Sequence, residues 1–269
     1  MRLGLGISIP GTSGLVQAAF SPLDLSPVLW LDASDTSTIT ETGGAVSQWD
    51  NKGSLGDFTQ GTAAVQPTSG VTTKNGLNVI DFADDHLIST DAASSWKFLH
   101  DGTDHHMFVV WIPATSDPLT NQSAFGITSS GGSVGIRGIT YFGLFDEDSG
   151  AHLVNNGTSA ATRPVYNQVL SVMTQNVWHV VDVAADPDNA TASLRSTMVV
   201  DGGTPGANNT LTNACSAANP SFTLYIGNTG NLTDDLYGSI AEIVIFDKAL
   251  TAGEITDMRD YLNNKWSVY

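Results

Sequence analysis

Ile240-Ala241-Glu242-Ile243-Val244-Ile245-Phe246, continued by Asp247-Lys248-Ala249-Leu250 and then Thr251-Ala252-Gly253-Glu254-Ile255, is the stretch whose reading decides the fold. The first run is apolar on both faces for much of its length, as in a central strand covered on both sides. Thr251 and Glu254 then form Ser/Thr-x-x-Glu, a capping box whose hydroxyl and carboxylate satisfy free amides of a first helical turn. Ile255, Met258, Leu262 and Trp266 recur at spacings of three and four. Such a stripe lays a short terminal helix against the strands.

Working back along the chain, Met107-Phe108-Val109-Val110-Trp111-Ile112 is a second run apolar on both faces. Further strands are expected over 28–32, 45–50, 77–82, 106–112, 133–139, 141–145, 177–184, 196–201, 222–227 and 240–246. Only 14% of residues are charged, while Gly, Ser, Thr, Asn and Asp crowd the segments between apolar runs, which is the composition of many strands joined by many turns. With 269 residues and 41% hydrophobic content the chain can bury one large core, so residues 27–269 are expected to form one all-β domain. Ahead of it, Leu3, Leu5, Ile7 and Ile9 alternate with Gly4, Gly6 and Ser8, the period of a strand with one apolar face. Residues 1–26 therefore read as an extended arm and a linker broken by Pro10-Gly11 and Pro22.

Acidic residues outnumber basic ones by 27 to 10, a formal charge of −17 that repels a phosphate backbone and argues against nucleic-acid binding. Cys215 is the single cysteine, so no intrachain disulfide can form. No His lies near it in sequence, and the thiol is expected to be inert. Gly4, Gly6 and Pro10 interrupt the apolar start before a helical core of a signal peptide could form, and no secretory or membrane-inserted segment is expected.

An ordered series of short motifs adds a resemblance. Leu29-Trp30-Leu31-Asp32-Ala33-Ser34-Asp35, Val46-Ser47-Gln48-Trp49-Asp50-Asn51-Lys52-Gly53, Val79-Ile80-Asp81-Phe82, Trp178-His179-Val180-Val181, Met198-Val199-Val200-Asp201-Gly202, Leu224-Tyr225-Ile226-Gly227 and the closing 238–266 stretch together resemble concanavalin A-like/laminin-G-like domains. Such domains occur in bacterial surface proteins and phage virion proteins. The resemblance spans residues 28–266 and implies a two-sheet antiparallel jelly-roll sandwich, without specifying a function. The sequence departs from the pattern at Ala83, where a turn glycine is usual, and in the long segment between Ile112 and Val177.

A retaining glycosidase needs two carboxylates about 5 to 5.5 Å apart, and the Glu-x-Asp-x-x-Glu pattern that would supply them is absent. Asp146-Glu147-Asp148 runs into Ser149-Gly150 and reads as an acidic turn, so no catalytic residue is assigned. His100, Asp101, Asp104, His105 and His106 are metal-ligand types, but adjacent histidines point to opposite faces of a strand. A loop-to-strand junction is expected there and no metal. No cofactor is expected either; Asp84-Asp85 with Asp32 and Asp35 offer oxygen ligands for calcium but lack the Asp-x-Asp-x-Asp-Gly order. Trp30, Trp49, Trp111, Trp178 and Trp266 fall mostly inside apolar runs and read as core. Tyr141, Phe142, Asp146, Asn155 and Asn156 remain as a carbohydrate-binding candidate by loop placement.

The resemblance, the missing leader and disulfides, and an arm needing a partner edge together lead to a non-enzymatic bacteriophage virion structural protein. A head decoration, fibre or tail-surface component would join other subunits through Leu3, Leu5, Ile7 and Ile9 and display a lectin-like jelly roll to host glycans. The alternative is a bacterial carbohydrate-binding domain, extracellular or on the cell surface, and a hydrolase or lyase comes third.

Overall fold

The computed structural model describes residues 20–114, 122–127, 138–145, 150–156, 163–169, 172–230, 232 and 234–269, with 138–145 and 150–156 described as backbone. The arm residues Leu3, Leu5, Ile7 and Ile9 and the acidic turn at Asp146 and Asp148 lie outside the described residues.

In chain order the strands of the first half are β1 (Leu29–Asp32), β2 (Ile39–Thr42), β3 (Ala45–Trp49), β4 (Phe58–Thr59), β5 (Thr68–Lys74), β6 (Leu77–Ala83), β7 (Leu87–Ser89) and β8 (His105–Pro113). The second half holds β9 (Gln122–Gly126), β10 (Gly138–Phe145), β11 (Gly150–Asn156), β12 (Val165–Val169), β13 (His179–Ala185), β14 (Ser196–Val200), β15 (Tyr225–Ile226) and β16 (Tyr237–Phe246), followed by α1 (Ala252–Trp266). All their pairings are antiparallel.

Two layers face each other, as the jelly-roll expectation requires. One is β5-β6-β16-β8-β13-β14, with β1 also on β16; the other is β12-β11-β10-β9-β15-β7-β4-β3, with β2 on β3. The layers are not wholly separate sheets. Ala45 of β3 pairs with Thr68 of β5, so one hydrogen-bonded path curls from the first layer into the second.

The alternation of β8 shows why its whole run is apolar. Met107, Val109 and Trp111 point into the core between the layers, against Trp49, Phe58, Phe125 and Ile226. Phe108 and Val110 point the other way, into a second core under α1 with Trp30, Val244, Phe246, Met258, Leu262 and Trp266. The expected capping box forms: Thr251 Oγ1 accepts the Glu254 N–H, and Glu254 Oε2 accepts the Thr251 N–H at 2.7 Å. Phe20 packs edge-on to Tyr261 of α1, so the packed body already includes residues ahead of position 27.

A bulge in β16 sets what lies beneath the helix. The register against β8 shifts between Ile240 and Glu242, leaving Ala241 as the extra residue. Ile240, Ile243 and Ile245 face the inner core, whereas Ala241 and Val244 belong to the core under α1. In an unbulged strand of this sequence, strict alternation would put Glu242 on the inner face beside Ile240. With the bulge, Glu242 meets the helix. Fully buried there, it accepts hydrogen bonds from Trp30 Nε1 at 2.7 Å, Trp266 Nε1 at 2.6 Å and the Tyr261 hydroxyl at 3.0 Å. Lys265 Nζ lies 2.8 Å from Glu242 Oε2 and 2.6 Å from Asp32 Oδ1.

Several strands were not read from the sequence: β2, β4, β5, β7, β9, β11 and β12 are additions. The strand expected over 222–227 shrinks to Tyr225–Ile226, and that expected from 177 starts at His179. The two runs expected over 133–139 and 141–145 meet in one strand, Gly138–Phe145, with a register irregularity between Ile139 and Tyr141; residues 133–137 lie outside the described set.

Candidate functional site

At one end of the sandwich the turn after β6 meets the loop between β15 and β16, because Ala83 pairs with Tyr237. Asp84 adopts a left-handed conformation, φ 66°, which a short polar side chain tolerates. The following Asp85 turns its carboxylate back to accept the Ala83 N–H at 3.1 Å. His86 is buried and lies against the Tyr225 ring, 5.7 Å between centroids. Across from them Gly227, φ 81°, leaves room for Phe82: a Cβ there would come within 2.3 Å of its ring. The next residue, Asn228, accepts the Thr229 N–H at 2.7 Å through Oδ1 and donates through Nδ2 to Asp235.

Asp84 and Asp235 stand close together at this rim. Burial, then the Asp84 charge and hydrogen bonding with Asp84, push Asp235 up to about 6. Burial likewise raises Asp85, and burial with the surrounding carboxylates raises Tyr237. Carboxylate oxygens, an amide and tyrosine hydroxyls at one rim offer acceptors and donors for a polyol, and the Tyr225 and Tyr237 rings offer apolar faces.

The raised Asp235 carboxyl makes stability pH-dependent. Asp235 binds its proton more tightly in the folded chain than at the ordinary 3.8, so its contribution is full below 3.8 and is lost as pH rises through about 6. Asp235→Asn is expected to flatten the melting temperature across that interval. A slope unchanged by the substitution would show that the Asp84/Asp235 pair is not its source.

The sequence candidates fall elsewhere. Tyr141 and Phe142 sit within β10, paired with Val154 and Leu153, and Asn155 and Asn156 belong to β11 rather than to a turn, opposite Ile139 and Gly138. Those asparagines stand at one end of the β10–β11 pairing, and Asp146 lies outside the described residues. Of the four calcium candidates, Asp32 is held by Lys265 and Lys52 and Asp35 by Lys52 at 2.9 Å, while Asp84 and Asp85 stand at the rim. Among the described residues no group of three or more His, Cys, Asp or Glu could hold a metal ion.

The histidine stretch disperses as a loop-to-strand junction. His100 Nε2 lies 2.8 Å from the Ala218 carbonyl, His105 Nδ1 lies 2.9 Å from the Thr103 carbonyl, and His106 stacks on Phe108. Burial drives His105 down to about 4. Burial pushes the half-buried Cys215 thiol up to about 11, against a nearby Arg195, which keeps it protonated and unreactive. Asn228, Asp235, Tyr225 and Tyr237 are residues of this end of the sandwich that the sequence reading did not single out as candidates. The paired signal was Asp84-Asp85 and Asp234-Asp235, two acidic doublets whose meeting depends on the β6–β16 register.

Two packed antiparallel layers with a polar, aromatic-edged rim define a lectin-like jelly-roll domain. The chain belongs to the Laminin_G_3 family of the concanavalin A-like lectin/glucanases superfamily, whose model matches residues 84–256. Comparison with curated protein sequences finds no match. Among solved structures, domain 4 of AbnA, a GH43 extracellular arabinanase from Geobacillus stearothermophilus in complex with arabinotriose, is similar at TM-score 0.56 and 12% identity, covering 87% of this chain and 98% of that one. A Trypanosoma rangeli sialidase is similar at TM-score 0.50 and 13% identity, covering 90% of this chain but 33% of that one. The CBM40 of Ruminococcus gnavus IT-sialidase, bound to alpha2,3 sialyllactose, gives TM-score 0.45 and 14% identity, covering 58% and 82%. Among the described residues no helix is long and apolar enough to cross a membrane.

Proposed function

We propose that this chain is a non-enzymatic carbohydrate-binding domain, extracellular or displayed on a cell surface, whose ligand seat is the rim of Asp84, Asp85, Asn228, Asp235 and Tyr237. The observation that carries the reading is the Asp84/Asp235/Asn228 cluster, where carboxylate oxygens and an amide stand beside tyrosine rings on a lectin-superfamily fold. Sugar hydroxyls donate well to carboxylates, and hydrogen bonds to charged groups are the stronger ones. The virion-surface reading drew on the resemblance, the expected absence of a leader and of disulfides, and the arm of Leu3, Leu5, Ile7 and Ile9; the arm lies outside the described residues, and nothing in the described body supports that reading.

Arabino-oligosaccharides are the first probes, because the arabinanase domain carries arabinotriose on a similar fold. An array of neutral plant and microbial oligosaccharides widens the search. The Asp84→Asn/Asp235→Asn double variant is expected to weaken binding about tenfold or more, since each charged acceptor is worth roughly 1.5–3 kcal/mol. Binding that survives the double variant but is lost on Tyr141→Ala would move the seat to β10. No binding to any glycan, or turnover of one, would refute the proposal.

A further inference from the structure

Beneath α1, on the opposite face of the sheet from the inner core, Lys265, Asp32 and Glu242 meet in a setting that an ordinary ion pair does not need. Lys265 Nζ is 2.6 Å from Asp32 Oδ1 and 2.8 Å from Glu242 Oε2. Asp32 and Glu242 are buried, Glu242 completely, and the Lys265 side chain is 16% exposed. Trp30, Tyr261 and Trp266 wall the group, with Lys265 Nζ 5.4 Å and 5.0 Å from the ring centroids of Tyr261 and Trp266. Glu242 is fixed by three neighbouring donors, two indoles and a phenol.

We propose that Lys265 and Asp32 are joined by an intramolecular isopeptide bond, formed spontaneously with Glu242 as the proton carrier. Its formation needs nothing beyond the three side chains. The Lys265 ammonium gives one proton to Glu242, which relays it to an Asp32 oxygen, leaving a neutral amine beside a neutral carboxylic acid. The Nζ lone pair attacks Asp32 Cγ, a carbon–nitrogen bond forms, and the carbonyl electrons move onto oxygen. Glu242 then carries a second proton from Nζ to the departing hydroxyl. The carbon–oxygen bond breaks, water leaves, and Glu242 ends as it began.

The surroundings hold the partners in place and set the costly step. Against its burial, Lys265, Ser34 and Lys52 keep the Asp32 carboxyl below its usual range, so its protonation before attack is the step that Glu242 must assist. Burial raises Glu242, the direction a proton carrier requires. Both partners sit on elements fixed by packing, which holds nucleophile and carbonyl in contact. Lys52 also reaches Asp32, but at 3.4 Å, and it is shared with the outlying Asp35. The bond would tie β1 to α1 across 233 positions of sequence, closing most of the chain into a ring where the single Cys215 permits no intrachain disulfide. The inference is independent of the carbohydrate reading.

The test is the intact mass of the purified full chain under denaturing conditions, followed by peptide mapping. The expected mass is one water below that of the sequence, with a branched peptide joining the segments that hold Asp32 and Lys265. Glu242→Gln, Lys265→Arg and Asp32→Ala are each expected to restore the full sequence mass and to slow migration of the denatured chain in a gel. The unsubstituted chain decides the matter even if those variants fold poorly. A chain at full sequence mass, with Lys265 open to amine-reactive reagent once unfolded, would overturn the proposal, and so would a water loss mapped to other residues.

Discussion

Replacing Trp266 with Ala is expected to lower the stability of the folded chain by about 3–5 kcal/mol. Trp266 is fully buried at the last turn of α1, in the core formed with Trp30, Phe108, Val244, Met258 and Leu262. Truncation removes the largest side chain of that stripe and leaves a cavity that a helix anchored at both ends cannot close. It also takes away the indole N–H that donates to Glu242 at 2.6 Å, and a buried carboxylate that loses a donor is penalised beyond the lost packing. Leu262→Ala, which opens a cavity without touching Glu242, should cost less, about 2–5 kcal/mol. Urea titration of the variants checks both. A midpoint unchanged in Trp266→Ala would mean that the helix contributes no packing to the sheet.

Glu242→Ala is expected to cost a comparable amount, about 3–5 kcal/mol, because it breaks a buried charge cluster from one side. Two indole N–H groups and the Tyr261 hydroxyl lose their acceptor, and Lys265 keeps only Asp32 among its two carboxylates. Glu242→Gln should be milder, since its amide oxygen still accepts, although its NH₂ then faces donors. Trp266 and Glu242 touch, so their effects should not add: the double Ala variant is expected to be less unstable than the sum of the two by about 0.5–3 kcal/mol. Strict additivity in thermal or urea unfolding would mean that the indole–carboxylate bond carries no weight in the fold.

Asp182 shows the same arrangement on β13, across β8 from β16. It is buried in β13, receives Arg259 of α1 through Nε at 2.8 Å and Nη2 at 2.9 Å, and has His106 Nε2 at 3.4 Å. The helix is therefore held to the sheet by apolar packing along one stripe and by two acidic anchors, Glu242 and Asp182, on either side of β8. Specific polar pairing of this kind selects one docking of the helix among the many that an apolar stripe allows.

Much of this was legible in the amino-acid sequence. The double-faced apolar runs at 107–112 and 240–246 determined two central strands covered on both sides, because such a placement keeps both sets of side chains from water. Thr251 and Glu254 determined where the helix starts, since a capping box is satisfied within four residues. Other features depended on partners far away in the chain. Short strands such as Phe58–Thr59 and Leu87–Ser89 gain their identity only from pairing with each other and with β3 and β15 on either side, and two or three residues carry too little alternation to be seen alone. Glu242 read as a polar interruption in an apolar strand; its role was decided by a one-residue bulge that reversed the faces and by a tryptophan 212 positions away. The rim was equally hidden, for Asp84 and Asp235 become neighbours only when Ala83 pairs with Tyr237. Local chemistry acts over a few residues and is written in the sequence. Strand register is set by the packing of the whole sandwich, and it was register that brought the distant acids to the rim and turned Glu242 towards the helix.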